Sequence, residues 1–336
     1  MSNLAELTTL RVGGPARRMV VAHTEAELVS AVRAADEAAD PVLLLGGGSN
    51  LVVSDEGFEG TVVRIATRGI EVLAVDACGG VMVTVAAGEP WDGFVAHAVS
   101  KNWAGIEALA GIPGLTGATP VQNVGAYGQE VSATVARVRT YDREAGTVRT
   151  FVNEQCGFGY RTSRFKHTDR YVVLDVTFQL RPGRRSEPVA YGELASRLGV
   201  EVGGRTALAD VPPAVLGLRR AKGMVLDSFD HDTWSAGSFF TNPFVGAAPE
   251  GAPTWPVGER VKTSAAWLIE RAGFGRGYPG GQAPVSLSTK HTLALTNRGA
   301  GTAADVVALA REIRDGVQDT FGVVLEPEPR LVGVSL

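Results

Sequence analysis

The stretch PVLLLGGGSNLVVSDEGFEGTVVRI, Pro41 to Ile65, runs an apolar strand into three glycines and then into a second β-rich run broken by a turn. Successive glycines let peptide N–H groups approach a phosphate closely, and the side chains of Ser49 and Asn50 can add donors. A doubly wound dinucleotide fold needs a helix directly after such glycines. LVVSDEGFEGTVVRI has no helical period, so the dinucleotide fingerprint fails on context. Taken alone, the loop reads equally well as a tight turn or as a phosphate cradle.

Upstream, TEAELVSAVRAADEAA starts on a Thr24 cap and puts Leu28, Val32 and Ala35 on one face, which predicts a helix. Downstream, GGVMVTVAAGEPWDGFVAHAVSKN predicts a strand and then a helix with Trp91, Phe94, Val95, Ala98 and Val99 on one stripe. A second glycine loop follows, AGIPGLTGATPVQNVGAYGQE, and it changes the balance. Two long glycine loops, each beside an apolar strand or helix, suit an extended pyrophosphate-bearing cofactor better than two separate turns. RVRTYD, TVRTFV and RYVVLDVTFQL predict an antiparallel sheet, RPGRRSEP an exposed turn, and the stretch from Pro182 to Leu218 a domain edge.

The last third alternates strand and helix: GSFFTNPFV, TSAAWLIERAGF, HTLALTN, then a helix opened by Thr302 and closed by Gly322. In that helix Val306, Leu309, Ile313 and Val317 face one way. A short strand in VVLEPEPRLVG closes the chain, and since Pro327 and Pro329 cannot donate to a ladder, its middle must lie at an edge or lead into a loop.

At 336 residues the chain is long enough for two or three domains with a substantial core. The net charge of −4 supplies no global basic field for nucleic acid or anionic lipid, and no apolar run approaches a membrane-spanning length. The N-terminus has no positive cluster followed by an apolar core, so the expected location is the cytoplasm. Cys78 and Cys156 stand far apart without CxxC or His spacing, which supports no metal site and predicts buried, unreactive thiols.

Single residues decide little. Ser238 in WSAGSFFTNPF is not on a strand-to-helix elbow and no motif links it to a histidine, so a hydrolase reading fails. Arg161 in GFGYRTSRFK is the kind of cation usually found at a surface. Glu326 and Glu328 alternate with prolines on what reads as a solvated edge.

Together they decide more. NVGAYGQE, GYRTSRFK, AGSFFTNP, KTSAAWLIE and LEPEPRLVG occur in the order and approximate spacing of the UDP-N-acetylenolpyruvoylglucosamine reductase family, which the chain resembles from about Leu7 to Gly333. The resemblance implies an α+β fold: an FAD-binding fold of the vanillyl-alcohol-oxidase type in two subdomains, 1–69 (with 328–336 as a candidate to complete it) and 70–217, and a C-terminal α+β substrate domain, 218–327. Non-covalent FAD would lie with its pyrophosphate on Gly46, Gly47, Gly48, Ser49 and Asn50, and its flavin along Pro113, Gly114, Gly117, Ala118, Thr119, Val121 and Gly125.

The reaction so implied is reduction of the enolpyruvyl group of UDP-N-acetylglucosamine enolpyruvate to UDP-N-acetylmuramate, with NADPH entering the same site as co-substrate. Hydride at C3 leaves carbanion-like charge at C2, which needs preorganised donors and a proton. By motif match Arg161 supplies a fixed cation, Glu328 donates as the neutral acid, and Ser238 gives C2 its proton. Tyr127, Tyr191, Arg219, Lys222, Asn242, Arg276 and His291 would contact the substrate, with Tyr191 as a lid residue beside the diphosphate. No metal, nucleic acid or membrane is implied, and the protein is expected to be a monomer. Two alternatives stay open on the sequence: another FAD oxidoreductase of the same fold, which would lack the joint Ser238 and Glu328 motifs, and a non-catalytic nucleotide-binding protein of the cell-wall machinery.

Overall fold

The helix expected after Thr24 forms over Glu25–Glu37 (α1). The Thr24 hydroxyl accepts from the Glu27 N–H while the Glu27 carboxylate accepts from the Thr24 N–H, a reciprocal cap that satisfies two otherwise orphaned donors. The computed structural model describes residues 3–76 and 80–336, so Cys78 lies outside the described residues. By packing, the chain forms two compact units: residues 18–47 with 60–220, and residues 1–17 with 48–59 and 221–336.

In the first unit Leu28, Val32 and Ala35 of α1 are buried with Ala22, Val42 and Val63. The supporting sheet has the order Ala16–Ala22, Phe58–Ile65, Val42–Leu45, with the last two strands parallel. A larger antiparallel sheet orders its main strands Thr147–Val152, Val135–Asp142, Tyr171–Pro182, Gly80–Ala86, Ile70–Asp76. The sequence does not announce Ile70–Asp76, because its residues are exposed along almost the whole strand and no alternation marks it.

Helix α2 (Trp91–Ser100) buries Trp91, Phe94, Val95 and Ala98 in the same core as Val83, Val85 and Phe178 of that sheet. The rings of Trp91, Phe94 and Phe178 meet at 5.1 to 5.9 Å, and each such side chain stabilises the unit by roughly 1.5–3 kcal/mol relative to exposure. The stretch after the sheet forms α3 (Gly192–Leu198) and α4 (Val211–Ala221), the latter carrying Pro212 and Pro213 in the first turn, where a missing N–H costs nothing. RPGRRSEP is largely exposed as expected, except that Ser186 is buried and donates to the Glu187 carbonyl.

The second unit is built on α5 (Ala265–Arg271) and α6 (Ala303–Phe321). Thr302 and Asp305 cap α6 reciprocally, Asp55 accepts from the Ala303 and Ala304 N–H groups at 2.8 and 3.0 Å, and Gly322 ends the helix at φ 68°. Val306, Leu309, Ile313 and Val317 are buried with Phe239, Phe240, Leu268 and Leu295.

Two strand expectations are corrected here. GSFFTNPFV is not a continuous strand: only Phe240 makes a bridge, to Pro327, and only Phe244–Val245 pairs in a sheet. Gly237 at φ 76° breaks the extended run on one side of the serine, and Pro243 lacks the N–H to continue it on the other. In the closing segment the ladder is confined to Arg330–Val332, parallel to Leu51–Val53, with both prolines ahead of it. Glu326 and Glu328 therefore do not share a strand face.

Cys156 is fully buried, and burial pushes its thiol up to about 11. An unfolded thiol ionises near 8.5, so stability from this group is complete below about pH 8.5 and is lost as pH rises toward 11, because the unfolded chain gives up its proton first. Iodoacetamide near pH 8 is expected to leave Cys156 unmodified in the native protein and to label it in guanidinium. Peptide mass spectrometry reads the difference, and native labelling would contradict the assignment.

Candidate active site

The two glycine loops meet. A Cβ at Gly47 would stand 2.7 Å from the Gly114 Cα, and one at Gly46 would touch Leu115 at 3.7 Å. Gly114 has φ 116° and its carbonyl accepts from the Trp91 N–H at the start of α2. Gly117 is pinned by its N–H to the Ala87 carbonyl at 2.9 Å, with room for no Cβ: one would lie 2.5 Å from that of Ala87. The Thr119 hydroxyl donates to the Thr116 carbonyl at 2.8 Å. Backbone lies on backbone here, so the surface these loops offer is made of peptide groups, which fits a pyrophosphate cofactor such as FAD.

Four other expected residues share this unit. Arg161 Nη2 donates to the Gly125 carbonyl at 2.6 Å and Nη1 to the Asn123 carbonyl at 3.4 Å, so its guanidinium is anchored on the second glycine loop. Tyr127 and Tyr191 meet ring edge to face at 5.5 Å and 90°; Tyr191 precedes α3 and remains 44% exposed. Arg219, in the last turn of α4, donates from Nε to the Gly111 carbonyl at 3.2 Å. Burial beside that loop pulls its guanidinium below the ordinary value, against the opposing pull of Tyr127 and Asp92.

The other unit collects Ser238, Glu328 and Asn50 from distant parts of the sequence. The Glu328 N–H donates to the Phe239 carbonyl at 2.8 Å, the Thr241 N–H to the Glu326 carbonyl at 3.0 Å, and Phe240 bridges Pro327. Ser238 and Glu328 thus sit on adjoining backbone segments. Asn50 Nδ2 donates to the Glu328 carbonyl at 3.2 Å, and the Asn50 carbonyl accepts from the Arg330 N–H at 3.0 Å. Phe239 and Phe240 are 1% exposed and fix the serine between them and the Gly237 turn.

Asn242 takes the Ala265 N–H at 2.9 Å at the start of α5. Lys222 follows α4 directly, Arg276 is exposed in the loop after α5, and His291 is half-buried in the turn between Val285–Leu287 and Leu295–Asn297. Sequence reading misses Asp232, which is buried and accepts from the Thr289 N–H at 3.0 Å and from Arg298 at 2.8 Å. Burial alone would raise its carboxyl, but Thr289 and Arg298 hold it below the ordinary range. It secures the segment before Ser238, and nothing in DHDTW marks the second of its two aspartates for that. Among the described residues no cluster of three or more His, Cys, Asp and Glu could hold a metal ion, and no helix is long and apolar enough to cross a membrane.

Residues 228–332 match the family model of the UDP-N-acetylenolpyruvoylglucosamine reductase C-terminal domain, and residues 16–151 match that of an FAD binding domain. UDP-N-acetylenolpyruvoylglucosamine reductase of Cutibacterium acnes is 59% identical over 99% of this chain and 90% of its own length. That of Saccharopolyspora erythraea is 57% identical over 100% of this chain and 96% of its own. The crystal structure of the Thermus caldophilus enzyme of the same name is similar at a TM-score of 0.64 and 25% identity, covering 98% of this chain and 97% of that one.

Proposed function

From the premise that the chain belongs to the UDP-N-acetylenolpyruvoylglucosamine reductase family, we propose how its own residues carry that family's reaction. The protein is an FAD-dependent oxidoreductase that reduces the enolpyruvyl group of UDP-N-acetylglucosamine enolpyruvate to UDP-N-acetylmuramate, with NADPH as reductant, in peptidoglycan precursor synthesis. FAD, when bound, supplies the two-electron chemistry between the substrates. Gly46, Gly47, Gly48, Ser49 and Asn50 of the first glycine loop and Pro113, Gly114, Gly117, Ala118, Thr119, Val121 and Gly125 of the second would hold it. Ser238 delivers a proton to C2 of the substrate, Glu328 acts beside it as an acid, and Arg161 stabilises the charge that develops on the carboxylate.

The observation that carries this assignment is the backbone pairing of the Phe239–Thr241 and Glu326–Glu328 segments, which puts Ser238 and Glu328, far apart in sequence, on adjoining stretches of backbone. The parallel pairing of Leu51–Val53 with Arg330–Val332 supports counting 328–336 with 1–69 in a three-domain division, followed by 70–217 and 218–327. NADPH and the enolpyruvyl nucleotide would enter one site in turn, since each must present its reacting carbon to the same cofactor, and kinetics should be ping-pong. Both substrates are free nucleotides, which suits a cytoplasmic protein, and sedimentation at the mass of one chain checks that it is a monomer.

The test is an assay of the purified protein. It should be yellow, release all its colour on denaturation, and oxidise NADPH rapidly only when the enolpyruvyl nucleotide is present. Colour that stays with the precipitated chain would refute non-covalent binding, and NADPH oxidation indifferent to the nucleotide would favour another flavin oxidoreductase.

Tyr191 gives a more local prediction. Its phenyl ring meets Tyr127, so Tyr191→Phe keeps that contact and removes only the hydroxyl. Loss of one hydrogen bond to a charged diphosphate should weaken the enolpyruvyl nucleotide by roughly 1.5–3 kcal/mol while flavin reduction by NADPH hardly changes. Rapid-mixing traces with both half-reactions slowed alike would remove Tyr191 from the lid.

A further inference from the structure

Three residues other than glycine adopt left-handed backbone around the anchored guanidinium: Asn123 at φ 47°, Tyr127 at 49° and Arg161 at 50°. Such conformations are uncommon outside glycine, are tolerated best by Asn and Asp, and persist in bulky residues only where the surroundings over-determine them. At Arg161 the turn is held from several sides. The Gly159 N–H donates to the Thr162 carbonyl at 3.0 Å, Lys166 Nζ donates to the Arg161 carbonyl at 2.8 Å, and the Ser163 hydroxyl donates to the Val121 carbonyl at 2.6 Å.

The centre of this arrangement is Asn123, which is 1% exposed. Its Nδ2 donates to the Gly159 carbonyl at 3.1 Å, two residues before Arg161, and to Glu130 Oε2 at 2.9 Å. Its Oδ1 accepts from the Ser132 N–H at 3.0 Å, and its own carbonyl is one of the two that receive the Arg161 guanidinium. Both amide donors and the amide acceptor are thus engaged, away from water that could replace a lost partner. The other anchor, Gly125, has no space for a side chain: a Cβ there would lie 2.7 Å from Glu130 Cγ and 3.0 Å from Arg161 Nη1. One amide therefore ties together the base of the Arg161 turn, the end of the glycine loop at Glu130, the Ser132 N–H just beyond it, and a carbonyl on which the guanidinium rests.

We propose that Asn123 is the positioning residue for Arg161, holding its turn and its guanidinium anchor in one geometry through the Gly159, Glu130 and Ser132 contacts. The inference rests on the role assigned to Arg161, and a double-mutant cycle separates the two. In FAD-loaded protein, Asn123→Ala should slow flavin reoxidation by the enolpyruvyl nucleotide about tenfold or more, leaving flavin reduction by NADPH and FAD content unchanged. In an Arg161→Ala background the same substitution should add less than about twofold, because Asn123 has nothing left to position. Full additivity would overturn the proposal. An Arg161→Ala protein that reoxidises at the wild-type rate would overturn the role of Arg161 itself.

Asn123→Asp is the second variant and keeps the shape if the alanine protein fails to load FAD. Its ionised carboxylate faces two acceptors, Gly159 O and Glu130 Oε2, whereas the protonated form regains a donor. Reoxidation should therefore recover as pH falls in this variant, relative to wild type at the same pH. A relative rate independent of pH would count against the proposal.

Discussion

Ser238→Ala is expected to accept electrons from NADPH at the wild-type rate and to pass them to the enolpyruvyl nucleotide about 10²–10⁴ times more slowly, the usual contribution of a positioned general acid. A serine hydroxyl is a poor acid in water, but charge developing at C2 is basic enough to take its proton. Only the second half-reaction needs that proton, so the two halves separate in stopped flow. The backbone on either side of the serine is fixed: Gly237 turns the chain at φ 76°, Phe239 and Phe240 are buried on the other side, and the Phe239 N–H and carbonyl are tied to Leu293 and Glu328. Ser238→Cys should fall between alanine and wild type, since a thiol can also donate. Reoxidation of the alanine protein at a near-normal rate would end the assignment of Ser238 as acid.

What could be read before the fold was known follows the physics of each signal. Helices α1 and α6 are legible because their caps and apolar stripes are local: Thr24 with Glu27, Thr302 with Asp305, Gly322 at the stop. The strand after GGGSN is legible for the same reason, and it excludes the doubly wound alternative before any contact is known. Ile70–Asp76 is silent because exposed positions on both faces leave no alternation. GSFFTNPFV is misread because its apolar run resembles a strand, whereas its phenylalanines are held by tertiary packing against α5 and α6 and by pairing with residues about ninety positions later. Arg161, Ser238 and Glu328 take their roles from the resemblance; it gives none to Asn123 and Glu130, although NVGAYGQE contains both, or to Asp232, because their work lies in tertiary contacts that a sequence does not display.

Arg161→Met should lower the rate of flavin reoxidation by substrate about 10²–10³-fold, the cost of removing one preorganised donor from developing negative charge, with the reduction by NADPH unchanged. The argument rests on how the cation is held. Its guanidinium donates to the carbonyls of Gly125 and Asn123, which fix the direction in which its plane lies. A cation positioned in advance needs no reorganisation when charge builds up on a carboxylate. Arg161→Lys separates charge from geometry. The ammonium is a compact point charge and cannot reproduce the planar fork, so lysine should recover only a minor part of the loss. The left-handed backbone at φ 50° would persist in either variant, so circular dichroism and FAD content should match wild type. Equal slowing of both half-reactions would make Arg161 a support for the flavin loop. A lysine variant at full rate would show that charge alone suffices and that the anchoring on Gly125 and Asn123 has no part in catalysis.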